Sequence, residues 1–175
     1  KRTGLILDPY FSATKIKWIL NNVEGAYKKA KDGKLCFGTV DTYLMYILSN
    51  KAIHKTDITN ASRTMLFNIN TLSWDNYLLD LFDIPESMLP DVCNSDASFG
   101  VLSDFNKINI NAVLGDQQAA LFGQGCLQSG NLKSTYGTGC FLMANVGTKP
   151  LFSKEGLLFS NDLVLLILSQ YQVII

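Results

Sequence analysis

The chain has 175 residues, 47% of them apolar and 17% charged. That length suits one domain with a sizeable core, and the charged share lies below the typical quarter. Fifteen basic and fifteen acidic residues cancel, so no net field draws nucleic acid or an anionic membrane surface. Four cysteines without a C-x-x-C pair, and one histidine, His54, argue against both a zinc site and a disulfide framework; they read as reduced thiols in a cytoplasm-like compartment.

No signal-peptide pattern opens the chain, since Lys1-Arg2-Thr3-Gly4 leads to a short apolar run broken by Asp8-Pro9. Asp8-Pro9-Tyr10-Phe11 predicts a turn, because proline fixes φ and pushes Asp8 out of the helical region. Ser12 is placed to cap a helix from about Ala13 to Lys31, striped by Ile16, Ile19, Leu20, Val23 and Tyr27 and ended by Asp32-Gly33. Its lysines, Lys15, Lys17, Lys28, Lys29 and Lys31, with Lys34 beyond, read as a solvated face. Leu35 to Gly38 predicts a short buried segment. Thr39 then caps a helix from Val40 to Leu48 with Leu44, Ile47 and Leu48 inward. Ser73 or Asp75 starts another, carrying Tyr77, Leu78, Leu81 and Phe82, and Pro85 and Pro90 bracket a short turn of structure. Ile108 to Leu114 predicts a strand, and Gln117 to Gln128 a helix. Leu132 to Thr135 and Phe141 to Val146 predict two strands of a hairpin around Tyr136-Gly137-Thr138-Gly139-Cys140. Strands mixed with helices imply an α/β chain.

The tail is apolar at Leu163 to Leu168 and at Val173 to Ile175, interrupted by Ser169-Gln170-Tyr171-Gln172. It is too short to span a bilayer. With high β-propensity and no charge after Asp162, it is aggregation-prone if left unpaired.

Four segments stand out. Tyr10 to Asn22 (YFSATKIKWILNN) opens with a phenol at a turn, able to donate and accept or simply to anchor. Thr56 to Asn68 (TDITNASRTMLFN) is rich in short polar side chains that suit local bonds to backbone; no chemical step follows from it, and Arg63 reads as a tie between segments. Gly115 to Gln124 (GDQQAALFGQ) sets a carboxylate, Asp116, beside two amides where a helix begins; Asp116 there is either a helix cap or a base. Ser134 to Phe141 (STYGTGCF) brackets a threonine with glycines, as a plain hairpin or as a turn whose amides face phosphate. Ser12-Ala13-Thr14-Lys15 is an S-x-x-K tetrad, but the Ser-Asp-Asn and Lys-Thr-Gly partners of an acyl-transfer hydrolase are missing.

Together these segments, from about Thr3 to Leu158, resemble the glycerol kinases of the carbohydrate-kinase superfamily. Tyr10 to Asn22 matches that superfamily's first signature, with Lys15 and Trp18 at its fixed positions. The resemblance implies an α/β, ribonuclease H-like (actin-like ATPase) fold, present here in part and incomplete. It implies ATP-dependent phosphorylation of glycerol to sn-glycerol 3-phosphate with Mg²⁺. Asp116 would be the general base, Tyr10, Asp116, Gln117 and Phe141 would bind glycerol, and Gly137 and Thr138 would face the ATP phosphates; no metal-ligating residue is implied. Residues 1–130 would be the C-terminal part of the first kinase domain, 131–158 the opening hairpin of the second, and 159–175 an apolar tail unlike the family, of the kind a truncation or frame change leaves.

Three family features lie outside the match. These are the strand with its Asp-x-Gly-Thr phosphate loop together with the arginine, glutamate and tryptophan of the glycerol pocket, the adenine-binding segments, and the glycine-rich basic loop for fructose 1,6-bisphosphate. Leu102 to Ile108 stands in place of that loop with Lys107 as its one basic residue. The alternative reading is therefore a truncated, catalytically incompetent fragment with at most a binding or structural role, and a homo-oligomer is left open.

Overall fold

A computed structural model describes residues 1–102, 107–137 and 139–147, and the backbone alone of 158–160 and 165–168. The first helix is two. Helix α1 (Ser12–Asn22) stops at Val23, and α2 (Ala26–Lys31) restarts after Gly25, whose φ of 70° is left-handed and ends the run. The cap of α1 is Phe11 rather than Ser12, which is its first helical residue. The break turns Ala26 and Ala30 toward Ile16 and Leu20 in the core and leaves Ile19 and Val23 exposed. At the far end the Gly33 amide bonds to the Ala30 carbonyl and the Lys34 amide to Lys29, the paired bonds with which a left-handed glycine closes a helix.

Leu35 and Phe37 are half-buried and Cys36 is exposed, so Leu35 to Gly38 is a link rather than a core segment. Helix α3 (Val40–Leu48) follows with Thr39 at its cap, as expected. Its inward face is Thr42, Met45 and the following Ser49, not Leu44 and Ile47, which are about half exposed; Val40 and Tyr43 are more exposed still. Thr42 decides the phase: a Cβ on Gly38 would lie 2.7 Å from its methyl, so this glycine lets the helix seat on its polar-small side.

Strand β1 (Lys55–Asp57) runs into the short helix α4 (Ile58–Ala61) and pairs in parallel with β4 (Asp91–Cys93), Thr56 opposite Val92. Between them lie the antiparallel pair β2 (Phe67–Asn68) and β3 (Ser73–Trp74), helix α5 (Asn76–Phe82) and a 3₁₀ turn at Glu86–Met88 between the two prolines. Asp75 caps α5, accepting from the Leu78 amide and from Arg2 at 3.0 Å. Strands β5 (Gly100–Leu102) and β6 (Ile108–Ile110) form an antiparallel pair. β6 is shorter than expected because the Val113 amide leaves the ladder for the Ser95 carbonyl, beside β4.

Helix α6 (Asp116–Gly123) also ends sooner than the sequence suggests. Gly125 is left-handed, and the Cys126 amide reaches back to the Leu121 carbonyl, the same glycine stop as in α2. Strands β7 (Leu132–Tyr136) and β8 (Cys140–Asn145) form the expected hairpin. The tail extends it: β10 (Leu165–Leu168) pairs antiparallel with β8 and with β9 (Leu158–Ser160), in the order β7-β8-β10-β9. Leu165–Leu168 of the tail thus has backbone partners on both edges. The main core joins α1, α2, α5, α6 and β8 through buried Phe11, Ile16, Leu20, Leu66, Leu79, Leu121 and Met143.

Candidate active site

Parallel strands leave their binding crevice at their carboxyl ends. Here β1 ends at Asp57 and β4 runs out toward Ser95. Asp57 is fully buried at 0% exposure. Its carboxylate accepts from the Thr59 amide and hydroxyl, the Asn60 amide and side chain, and the Ser95 hydroxyl. Five donors satisfy an anion that has no cation against it among the described residues, as a buried charge requires. The Thr59 hydroxyl then accepts from the Gly115 amide at 2.7 Å. Gly115 is the cap residue of α6, so the β1 end is tethered to the start of the helix that carries Asp116. The φ of Gly115, −60°, is open to any residue, but a Cβ there would stand 2.6 Å from the side-chain oxygen of buried Gln118, which would have to shift.

Asp116 is exposed and is the first residue of α6; the cap is Gly115, and no side-chain capping bond is made. Its carboxylate instead accepts from the Gln117 amide at 2.8 Å and from Gln117 Nε2 at 3.3 Å. Gln117 Oε1 accepts from Lys133 Nζ at 2.7 Å, and Lys133 also donates to the Thr135 hydroxyl at 2.7 Å. Lys133 is only 2% exposed. Burial pushes its ammonium below the usual lysine range, while Asp116 and then Cys126 pull the other way.

Arg63 sits 5.1 Å over the Phe11 ring, and its Nη1 is buried with no hydrogen-bond partner among the described residues. Burial lowers its pKa, and the charges of Tyr10 and Asp116 oppose that. Tyr10 is 65% exposed, with its ring edge-on to Phe11 at 5.4 Å. Lys15 Nζ donates to the Tyr10 carbonyl at 2.8 Å, while Trp18 is exposed.

Of the other sequence candidates, Phe141 is half-buried and packs against the main core. Its ring would meet a Cβ on Gly139 at 3.0 Å. The Gly137 amide donates to the Gly139 carbonyl at 3.1 Å and so is engaged inside its own turn. Thr138 lies outside the described residues, as do four positions of the Leu102 to Ile108 stretch. Sequence reasoning passed over Lys133 and left Asp57 and Thr59 without a role. Alternation along β7 was the available signal for Lys133, since it puts Lys133 and Thr135 on one face. Among the described residues no group of three His, Cys, Asp or Glu side chains is placed to hold a metal, and no helix is long and apolar enough to cross a membrane.

Residues 1–123 match the N-terminal domain of the FGGY family of carbohydrate kinases. A glycerol kinase of Francisella tularensis subsp. novicida is 57% identical over 162 residues, which are 90% of this chain and 32% of the relative. The crystal structure of Plasmodium falciparum glycerol kinase with ADP superposes with a TM-score of 0.88 at 38% identity, over 95% of this chain and 35% of that one. Xylulose kinase from Lactobacillus acidophilus superposes with a TM-score of 0.79 at 18% identity, over 95% and 34%, a likeness of fold. The chain thus spans about a third of the length of the relatives it matches.

Proposed function

The chain belongs to the FGGY family of carbohydrate kinases, and from that premise we propose that it carries the acceptor side of an ATP-dependent glycerol kinase, which yields sn-glycerol 3-phosphate. The observation that supports this best is the exposed Asp116 carboxylate, held at both oxygens by Gln117 at the start of a tethered helix. Phosphoryl transfer is mostly positioning and charge management. Asp116 takes the proton of the attacking hydroxyl as that oxygen bonds to phosphorus. Gln117 spends one Nε2 proton on Asp116 and has the other for a substrate hydroxyl. Tyr10 offers a phenol, and Phe141 an apolar surface for the carbon chain.

ATP supplies the phosphoryl group and leaves as ADP. Gly137 and Thr138 are the residues proposed to face its phosphates; the Gly137 amide would first exchange its bond to Gly139. Mg²⁺ would come in on the phosphates, where it keeps much of its own water. In domain terms residues 1–130 are the end of the first kinase domain, 131–158 open the second, and 159–175 are the tail.

A second reading is an inactive fragment with a binding or structural role. It is favoured by the exposure of Tyr10 and Asp116, since phosphoryl transfer works best with water excluded. Glycerol-dependent ADP release by the 175-residue chain, with Mg²⁺-ATP and an Asp116→Asn control, separates the two. Turnover that vanishes in the control supports the kinase reading; no turnover in either assigns the activity to a longer protein.

A further inference from the structure

A lysine that is 2% exposed needs a reason. Burying an ammonium is costly, and an apolar side chain of similar length would pack there at less cost. Among the described residues no carboxylate stands within ion-pair distance of Lys133, and the ion pair formed is Arg2–Asp75. The Lys133 ammonium donates instead to the Gln117 side-chain oxygen and the Thr135 hydroxyl.

Lysine only donates. The atom of the Gln117 amide that faces Lys133 must therefore be oxygen, and Nε2 must point the other way. That other way is Asp116 Oδ2, 3.3 Å off. Without the ammonium the amide is free to flip, and its oxygen would then oppose the carboxylate. We propose that Lys133 is a positioning residue: by holding the Gln117 amide in one orientation across the α6–β7 connection, it aims the Asp116 carboxylate and leaves one Gln117 proton for the acceptor. This rests on the reading of Asp116 and Gln117 as substrate contacts. It also gives the strand after the Ser129-Gly130-Asn131 turn a direct hold on the helix before it.

The test follows solvent exchange of the Gln117 Nε2 protons by NMR in the 175-residue chain, with exposed Gln124 and Gln128 as internal references. Gln117 should exchange roughly tenfold more slowly than the references in wild type and in Lys133→Arg, and at their rate in Lys133→Met. Equal rates for the three glutamines in wild type overturn the proposal without recourse to any variant. Glycerol-dependent ADP release on the same samples should show kcat/KM down roughly tenfold in Lys133→Met and largely recovered in Lys133→Arg. Unchanged kcat/KM in Lys133→Met also overturns it. A wild-type chain that turns over no glycerol defeats the kinase reading of this chain, and the amide exchange then decides Lys133 alone.

Discussion

Replacing Thr59 by valine keeps the branched shape and removes the hydroxyl that joins Asp57 to Gly115. Two bonds go. The first is the hydroxyl's donation to the Asp57 carboxylate, a charge-assisted bond worth roughly 1.5–3 kcal/mol net. Asp57 keeps four other donors, the Thr59 and Asn60 amides, Asn60 Nδ2 and the Ser95 hydroxyl, so the carboxylate is not orphaned. The second is the acceptor for the Gly115 amide. Gly115 is half-buried, so water recovers part of that loss, and about 1 kcal/mol is the right scale. The sum is about 2–4 kcal/mol, a large part of a typical folding free energy of roughly 5–15 kcal/mol. Thr59→Ser keeps both bonds and gives up one buried methyl, about 1 kcal/mol. Urea unfolding of the two variants separates hydrogen bonding from packing. Hydrogen exchange at the Gly115 amide localises it, with roughly fivefold faster exchange expected in the valine variant and none in the serine variant. Valine and serine variants of equal stability, or a Gly115 amide indifferent to both, would refute the tether.

Asp116→Asn should leave the unfolding midpoint near that of wild type, because among the described residues the exposed carboxylate bonds only to Gln117, and should remove whatever glycerol-dependent turnover the chain has. In the same variant the Lys133 ammonium should titrate lower than in wild type, since the charge that was holding it up is gone; Lys133 side-chain NMR reads this directly. Burial works to raise the Asp75 carboxyl, but bonds from Arg2, Asn68 and the Leu78 amide, with the charge of Arg2, outweigh it and hold the pKa below the usual carboxylate value. Stability from Asp75 is therefore full above the unfolded value of about 4 and lost as pH falls through the folded one, so Asp75→Asn should flatten the acid limb of a stability–pH curve. Leu121→Ala, at a fully buried site where α6 meets the core, should cost roughly 2–5 kcal/mol in urea unfolding.

Much of the fold was legible because its signals are local. Thr39 and Asp75 mark helix starts, Pro85 and Pro90 bracket a turn, and glycine between two apolar runs marks the β7–β8 hairpin. The misreadings share one cause, tertiary contacts that periodicity does not record. The stripe through Ile19 and Val23 ran on past Gly25 because helical spacing carries no term for a left-handed residue. Leu44 and Ile47 looked inward until the fit of Thr42 over Gly38 set the phase. At the candidate site, Asp116 and Gln117 stood out by their pattern beside Gly115. Lys133, 16 residues on, and Thr59, 56 residues back from Gly115, did not, because side chains that act through another side chain leave no spacing rule.

The hairpin register holds one more consequence. Lys133 and Met143 stand opposite each other on β7 and β8, both out of water, so one rung carries a core residue together with the lysine that bonds Gln117. Strand side chains alternate, and a slip of one place sends a side chain to the other face. Adding or deleting one residue in the turn between Tyr136 and Cys140 would therefore expel either the methionine or the ammonium. Point changes in that turn can drift, while changes of its length are screened twice. In a library of loop lengths, clones that pass a folding selection and clones that keep Lys133 on Gln117 should be the same clones.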